Sequence, residues 1–312
     1  MQQFLKLIRW PNLVIILMTM FFTLFFVINP LLGLKSFEAG LTVTGFVLLV
    51  LATLFIAIGG YLINDFFDMD IDRINKPGKN QVGKKFPVAY VQLSFWILNI
   101  LAAVMGFIVA WMADKPLYGL VFVFTSGLLW FYSERYQCMP LVGNLVVAFL
   151  STLSFALVWL FDFFTLVNDP DDFAAVQTSF PVVNKMMLIY MGFAFVTTLI
   201  RELVKDIEDV EGDDRYGCNT FPVRFGIKAT KVVSVIVLLA GLALSAWAQL
   251  FFYYAGFRVL FFWFFLIDIE FFIVMALLMK ATDKLHYSTI SVFIKILMLT
   301  GILSMIFVYF ET

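Results

Sequence analysis

Asp65, Asp68, Asp70 and Asp72 crowd into the stretch 64–72, directly after a run, residues 39–63, that carries no charged side chain. If that run continues as helix, Asn64, Asp65, Asp68 and Asp72 fall within roughly a 100° arc, with Asp70 pointing the other way. Anions gathered on one face repel each other and call for a counter-charge. All-oxygen donors with no histidine nearby favour a hard divalent ion, magnesium foremost. The spacing returns after the uncharged run 186–200, where Asp206, Asp209 and Asp213 share a face and Glu208 lies opposite. A lone acidic helix end is usually no more than a solvated terminus. Two copies with matching spacing, each beside cations, point instead to one site with two jaws. Arg73, Lys76, Lys79 and Lys205 supply those cations as charge-assisted donors to phosphate oxygens. Two magnesium sites are expected, one on Asp65, Asp68 and Asp72 and one on Asp206, Asp209 and Asp213, gripping a diphosphate. Asn64 adds a neutral oxygen or a donor.

The elements that must position these residues cross a membrane. Of 312 residues, 62% are hydrophobic and 14% charged, against roughly half and a quarter in a soluble domain. Nine apolar segments approach or exceed the length of a bilayer-crossing helix: 13–32, 41–63, 88–113, 117–131, 141–161, 186–203, 231–254, 259–279 and 288–310. The fourth and sixth are short. The expected fold is an all-α polytopic membrane protein, one domain over 1–312 with two pseudo-repeated halves, each running apolar helix, acidic face, basic loop. A β-barrel would need strict two-residue alternation, which the chain lacks.

Basic residues set the orientation. With the N-terminus in the cytoplasm, sixteen Lys and Arg fall in inner segments and four (Lys35, Lys115, Lys185 and Arg258) in outer ones. That positive-inside bias turns both acid motifs to the cytoplasm of a multi-pass protein, with the bacterial inner membrane as the default location. Asp162 then opens the long outer loop 162–185. Residues 1–11 read as a short interfacial helix rather than a cleaved signal. One histidine, His286, leaves little material for zinc or Ser-His-Asp chemistry. Cys138 and Cys218 are too few and too isolated for a disulfide framework and are expected to be inert.

The motifs resemble those of the UbiA-type intramembrane prenyltransferases. Asn64, Asp65, Asp68 and Asp72 continue into Arg73-Ile74-Asn75-Lys76-Pro77, and Asp206, Asp209 and Asp213 match the second motif. Arg9-Trp10-Pro11-Asn12 and Gly143-Asn144 also look like family signatures. The resemblance implies a magnesium-bound polyprenyl diphosphate whose C–O bond ionises, and an acceptor that traps the allylic cation. Where the family often has a tyrosine-lysine pair after the fourth span, this chain has Tyr132-Ser133-Glu134-Arg135-Tyr136, so Tyr132 and Arg135 join Arg9 and Asn144 as substrate-binding candidates. The Asn-Lys-Pro and Val-Gly-Lys pattern is most similar to the lipid-acceptor branch, that of the digeranylgeranylglyceryl phosphate synthases. It implies geranylgeranyl transfer from geranylgeranyl diphosphate to geranylgeranylglyceryl phosphate in ether-lipid synthesis.

Two other readings compete. Aromatic acceptors of quinone synthesis, 4-hydroxybenzoate or 1,4-dihydroxy-2-naphthoate, suit the same motifs. A transporter would place its charges near mid-membrane, where only Asp268, Glu270 and Lys295 stand. A lipid-binding protein would tolerate loss of Asp68. No nucleic-acid partner is expected.

Overall fold

The computed structural model describes residues 2–35, 37–75 and 80–312. Among them, nine helices are long and apolar enough to cross a membrane. They are α1 (Trp10–Leu32), α2 (Val43–Phe67), α3 (Val88–Met112), α4 (Pro116–Glu134), α5 (Val142–Asn168), α6 (Phe180–Arg215), α7 (Phe221–Ala255), α8 (Arg258–Lys280) and α9 (Lys284–Glu311). The segment 2–7 is a short separate helix, Gln2–Leu7.

The two short segments of the sequence lengthen for different reasons. A 3-10 turn, Pro116–Gly119, is prefixed to the fourth. The sixth is not bounded by its apolar stretch at all: α6 runs unbroken for 36 residues, roughly 54 Å, well beyond a hydrocarbon core of about 30 Å. Its last turns, beyond the apolar stretch, carry the second acid motif. In α1, Pro30 has no N–H to return to the carbonyl of Phe26, and Thr23–Ile28 wind as π-helix before the helix resumes.

α6 is the axis of the bundle, packed against α5, α7 and α9, while α2 packs along α3 and α4. Close approach of α3 to α4 needs Gly106, since a Cβ there would lie 2.1 Å from the Phe122 ring. Gly106→Ala is therefore expected to cost about 1–3 kcal/mol by overpacking, seen as a lower thermal midpoint in detergent.

Two expectations change. Asp162 is not in a loop: it lies within α5, 1% exposed, and accepts a hydrogen bond from the Leu41 amide at 2.9 Å. The apolar run continues past it to Asn168, so the helix does too. This buried carboxylate fastens the connection before α2 to α5. Cys138 and Cys218 are not isolated either; they form a disulfide across 80 residues of sequence. Each sits next to an acid-motif neighbourhood, a proximity no sequence spacing reveals.

Candidate active site

The two acid motifs have unlike backbones. α2 ends at Phe67, Asp68 leaves the helix at φ −85° and ψ 5°, and a turn leads to a four-residue helix, Asp72–Asn75. The continuous helix expected through Asp72 is thus broken. The turn still lets the Asp72 amide donate to the Asp68 carbonyl at 2.9 Å, which keeps Asp72 beside the others. The second motif stays on regular helix to Arg215. Asn64, Asp65, Asp72, Asp209 and Asp213 are all buried, whereas Asp70 is exposed and paired with exposed Arg73 at 3.3 Å.

Neutral amides hold four of the carboxylates. Asn64 Nδ2 donates to Asp68 Oδ2 (2.9 Å) and Gln137 Nε2 to Asp68 Oδ1 (2.8 Å). Asn80 donates to Asp72 Oδ2 (3.1 Å), Asn144 to Asp206 Oδ2 (2.8 Å), and Asn75 to Asp213 Oδ1 (3.1 Å). Each amide orients a carboxylate without cancelling its charge, and a carboxylate has about four lone-pair directions to share. Asn75 does more. Its Oδ1 accepts from the Gly212 amide at 3.0 Å, so the end of the first motif is locked onto the second. Asn144→Ala, which frees Asp206 from its amide, is expected to weaken ion-dependent activity about 10–100-fold, the usual cost of losing a group that orients a ligand. Titrating activity against magnesium checks it.

Cations stand beside the carboxylates. Arg9, at φ 50° just before α1, turns its guanidinium to Asp65 Oδ1 (2.5 Å) and Asn64 Oδ1 (3.0 Å), over the Tyr61 ring. Burial acts to lower the pKa of Arg9, but attraction to Asp65, with Tyr61 and Asp68 behind it, leaves the pKa raised. Glu202, 5% exposed, holds Arg201 at 2.9 Å and Lys205 at 3.5 Å. These groups open onto a cavity of about 350 Å³. Arg9, Asn64, Tyr132, Glu202 and Lys205 are among its polar lining; Ile56, Leu129, Phe155, Phe193 and Phe264 are among the apolar residues that make up most of the wall, and Lys295 lines it too.

The structure thus brings together Arg9, Asn64, Tyr132 and Lys205 on the cavity wall, with Asp65 and Asp68 tied to it through Arg9 and Asn64. Arg73 and Arg135 are exposed and line none of this cavity. Lys76 and Lys79 lie outside the described residues. Gln137, Arg201 and Glu202 escaped the sequence reading. For Arg201 and Glu202 the signal was present, two charges closing an apolar run one turn before Lys205. For Gln137 there was none.

Among the described residues no three acidic, histidine or cysteine side chains stand close enough to hold an ion as placed. Magnesium does not require that: it keeps waters and is held through one or two carboxylates plus substrate phosphates. The all-oxygen donor set, four of whose carboxylates are pinned by uncharged amides that leave their negative charge in place, fits the ion.

Comparison with known proteins gives the family and the fold. A digeranylgeranylglyceryl phosphate synthase of Methanobrevibacter smithii is 30% identical over 64% of this chain, the match spanning a little under two thirds (64%) of that protein. A solved digeranylgeranylglyceryl phosphate synthase superposes with a TM-score of 0.65 at 25% identity, covering 98% of this chain and 96% of that one. A UbiA homologue from Archaeoglobus fulgidus, solved with GPP and Mg2+, shares the fold with a TM-score of 0.63 at 15% identity over 97% and 99%. Residues 36–297 match the UbiA prenyltransferase family across both acid motifs and most of the spanning helices, and the chain belongs to that family.

Proposed function

We propose that this protein transfers a geranylgeranyl group from geranylgeranyl diphosphate to the free hydroxyl of geranylgeranylglyceryl phosphate. One observation carries the reading: a single, mostly apolar cavity carries Arg9, Asn64 and Lys205 on its wall, with Asp65 bonded to Arg9 and Asp68 to Asn64. That is the shape of a diphosphate ester with an isoprenoid tail. The similarity to digeranylgeranylglyceryl phosphate synthases favours a lipid acceptor, and the A. fulgidus homologue holds a prenyl diphosphate with Mg2+.

Asp65, Asp68 and Asp72 on one side, and Asp206, Asp209 and Asp213 on the other, would hold magnesium. When bound, the ion neutralises charge growing on the leaving diphosphate. Lys205 and Arg9 orient diphosphate oxygens by charge-assisted hydrogen bonds. The apolar wall receives the tail and keeps water from the reactive carbon. As the C–O bond breaks, its electron pair stays on the diphosphate oxygen. The acceptor hydroxyl oxygen forms the new C–O bond, and its proton passes to a motif carboxylate. Tyr132 and Asn64 border the space where donor and acceptor meet. In this reading the motif end of the bundle faces the cytoplasm, as the basic-residue bias requires.

An acceptor panel tests it. Purified protein in lipid is given magnesium, labelled geranylgeranyl diphosphate and, separately, geranylgeranylglyceryl phosphate, 4-hydroxybenzoate or 1,4-dihydroxy-2-naphthoate. Label is expected to reach the glycerol phosphate alone. Transfer to an aromatic ring would move the protein to quinone synthesis, and no diphosphate release with any acceptor would end the prenyltransferase reading of this site.

A further inference from the structure

Asp68 has both of its carboxylate oxygens fixed by amides, one from the helix it caps and one from far along the chain. Asn64, one turn earlier, donates to Oδ2; Gln137, 69 residues later, donates to Oδ1. The two amides also bond each other, Asn64 Nδ2 giving to Gln137 Oε1 at 2.8 Å. Asn64, Gln137 and Asp68 therefore close a ring. The remaining atoms leave no freedom to turn the amides over. Gln137 Nε2 also donates to the Ser133 carbonyl at 2.8 Å, and Asn64 Oδ1 accepts from Arg9. A flipped Gln137 would face its oxygen to two acceptors and its nitrogen to a donor.

The residue is held as firmly at its backbone. Gln137 is the middle of a single 3-10 turn, Tyr136–Cys138. Cys138 is joined to Cys218, just past the second motif. On the other side α5 begins hard against the turn. A Cβ on Gly143 would lie 2.7 Å from the Tyr136 carbonyl oxygen and 2.8 Å from the Gln137 Cα, so only glycine permits the packing. The turn is anchored from two directions, and its one side chain aimed at the first motif is a neutral amide. A cation in that place would donate to Asp68 but oppose any positive ion beside it. An amide donates and leaves the carboxylate charge intact.

We propose that Gln137 is the positioning residue of the first acid motif: it fixes the Asp68 carboxylate in the orientation that receives the divalent ion, acting through Asp68 rather than by touching substrate. This inference builds on the reading of the motifs as an ion-diphosphate site. Groups that orient ligands in this way typically contribute about 10–100-fold to ion affinity or activity.

The test is ion binding by the whole protein in detergent, with the unreactive donor analogue geranylgeranyl thiolodiphosphate present. Mn2+ serves as the probe and its free electron-spin resonance signal as the readout, set beside the thermal midpoint of the ion-free protein. Gln137→Met keeps the volume and removes both hydrogen-bonding functions. It is expected to weaken Mn2+ binding about 10–100-fold and to raise the magnesium needed for half-maximal turnover in parallel, while donor KM at saturating magnesium stays unchanged. Should that variant fail to accumulate, Gln137→Asn, too short to span Asn64 and Asp68, makes the same comparison. Wild-type Mn2+ affinity in the variant, with or without a lower thermal midpoint, would reduce Gln137 to a structural residue and overturn the proposal. A wild-type protein that binds no Mn2+ with the analogue would instead overturn the ion-diphosphate reading beneath it.

Discussion

Asp68→Ala is expected to lower prenyl transfer by about 10²–10³-fold or more, the scale of losing one fully engaged electrostatic group at a reacting centre. Asp68 caps α2 and is gripped by Asn64 and Gln137, so the substitution removes a proposed ion ligand and also leaves each of the two amides one acceptor short. Asp70→Ala is the contrast. That carboxylate is exposed, faces Arg73 and lies off the site, and its loss should leave turnover unchanged. Steady-state rates of both variants at saturating magnesium check the pair. Equal rates for the two would mean that the face defined by Asn64, Asp65 and Asp68 has no special role.

Gly212→Ala should be nearly as damaging although the change is a single methyl. A Cβ at Gly212 would stand 2.2 Å from Asn75 Oδ1 and 2.7 Å from its Nδ2. Asn75 cannot swing aside without loss, because its side-chain amide bonds both the Gly212 N–H and Asp213, while its main-chain carbonyl, fixed by Lys284 at 3.1 Å, holds the backbone in place. The methyl therefore expels Asn75 and unlocks the first motif from the second. Activity is expected to fall about 10–100-fold, as for other groups that orient ligands. Asn75→Ala should give a similar loss, and the double variant little more than either, because the two share one interaction. Fully additive losses would show that Asn75 and Gly212 act independently.

How much of this could be read from the chain follows from what each signal measures. The nine spans were legible because apolar length is a property of one segment. Positions 206, 209 and 213 fell on one face because α6 stays helical through them. At positions 65, 68 and 72 the face was inferred from a helix that in fact stops at Phe67. Periodicity cannot distinguish helix from a turn that keeps the same rise. Gln137 and the Cys138–Cys218 bridge were hidden for another reason: each is defined by a partner from a different part of the chain, which only packing creates. Asp162 was misplaced because an acid at the end of an apolar run looks like a loop residue until an amide, here Leu41, is seen to satisfy it.

The central claim is that the acidic mouth and the apolar cavity form one donor site closed by a divalent ion. Binding of geranylgeranyl thiolodiphosphate to the wild-type protein in lipid nanodiscs, with magnesium and again with chelator, tests this most directly. The account predicts saturable binding with magnesium, its loss in chelator, and competition by inorganic diphosphate only when magnesium is present. Equal affinity in chelator would contradict it, because the tail alone would then be holding the donor and the six aspartates would need another purpose.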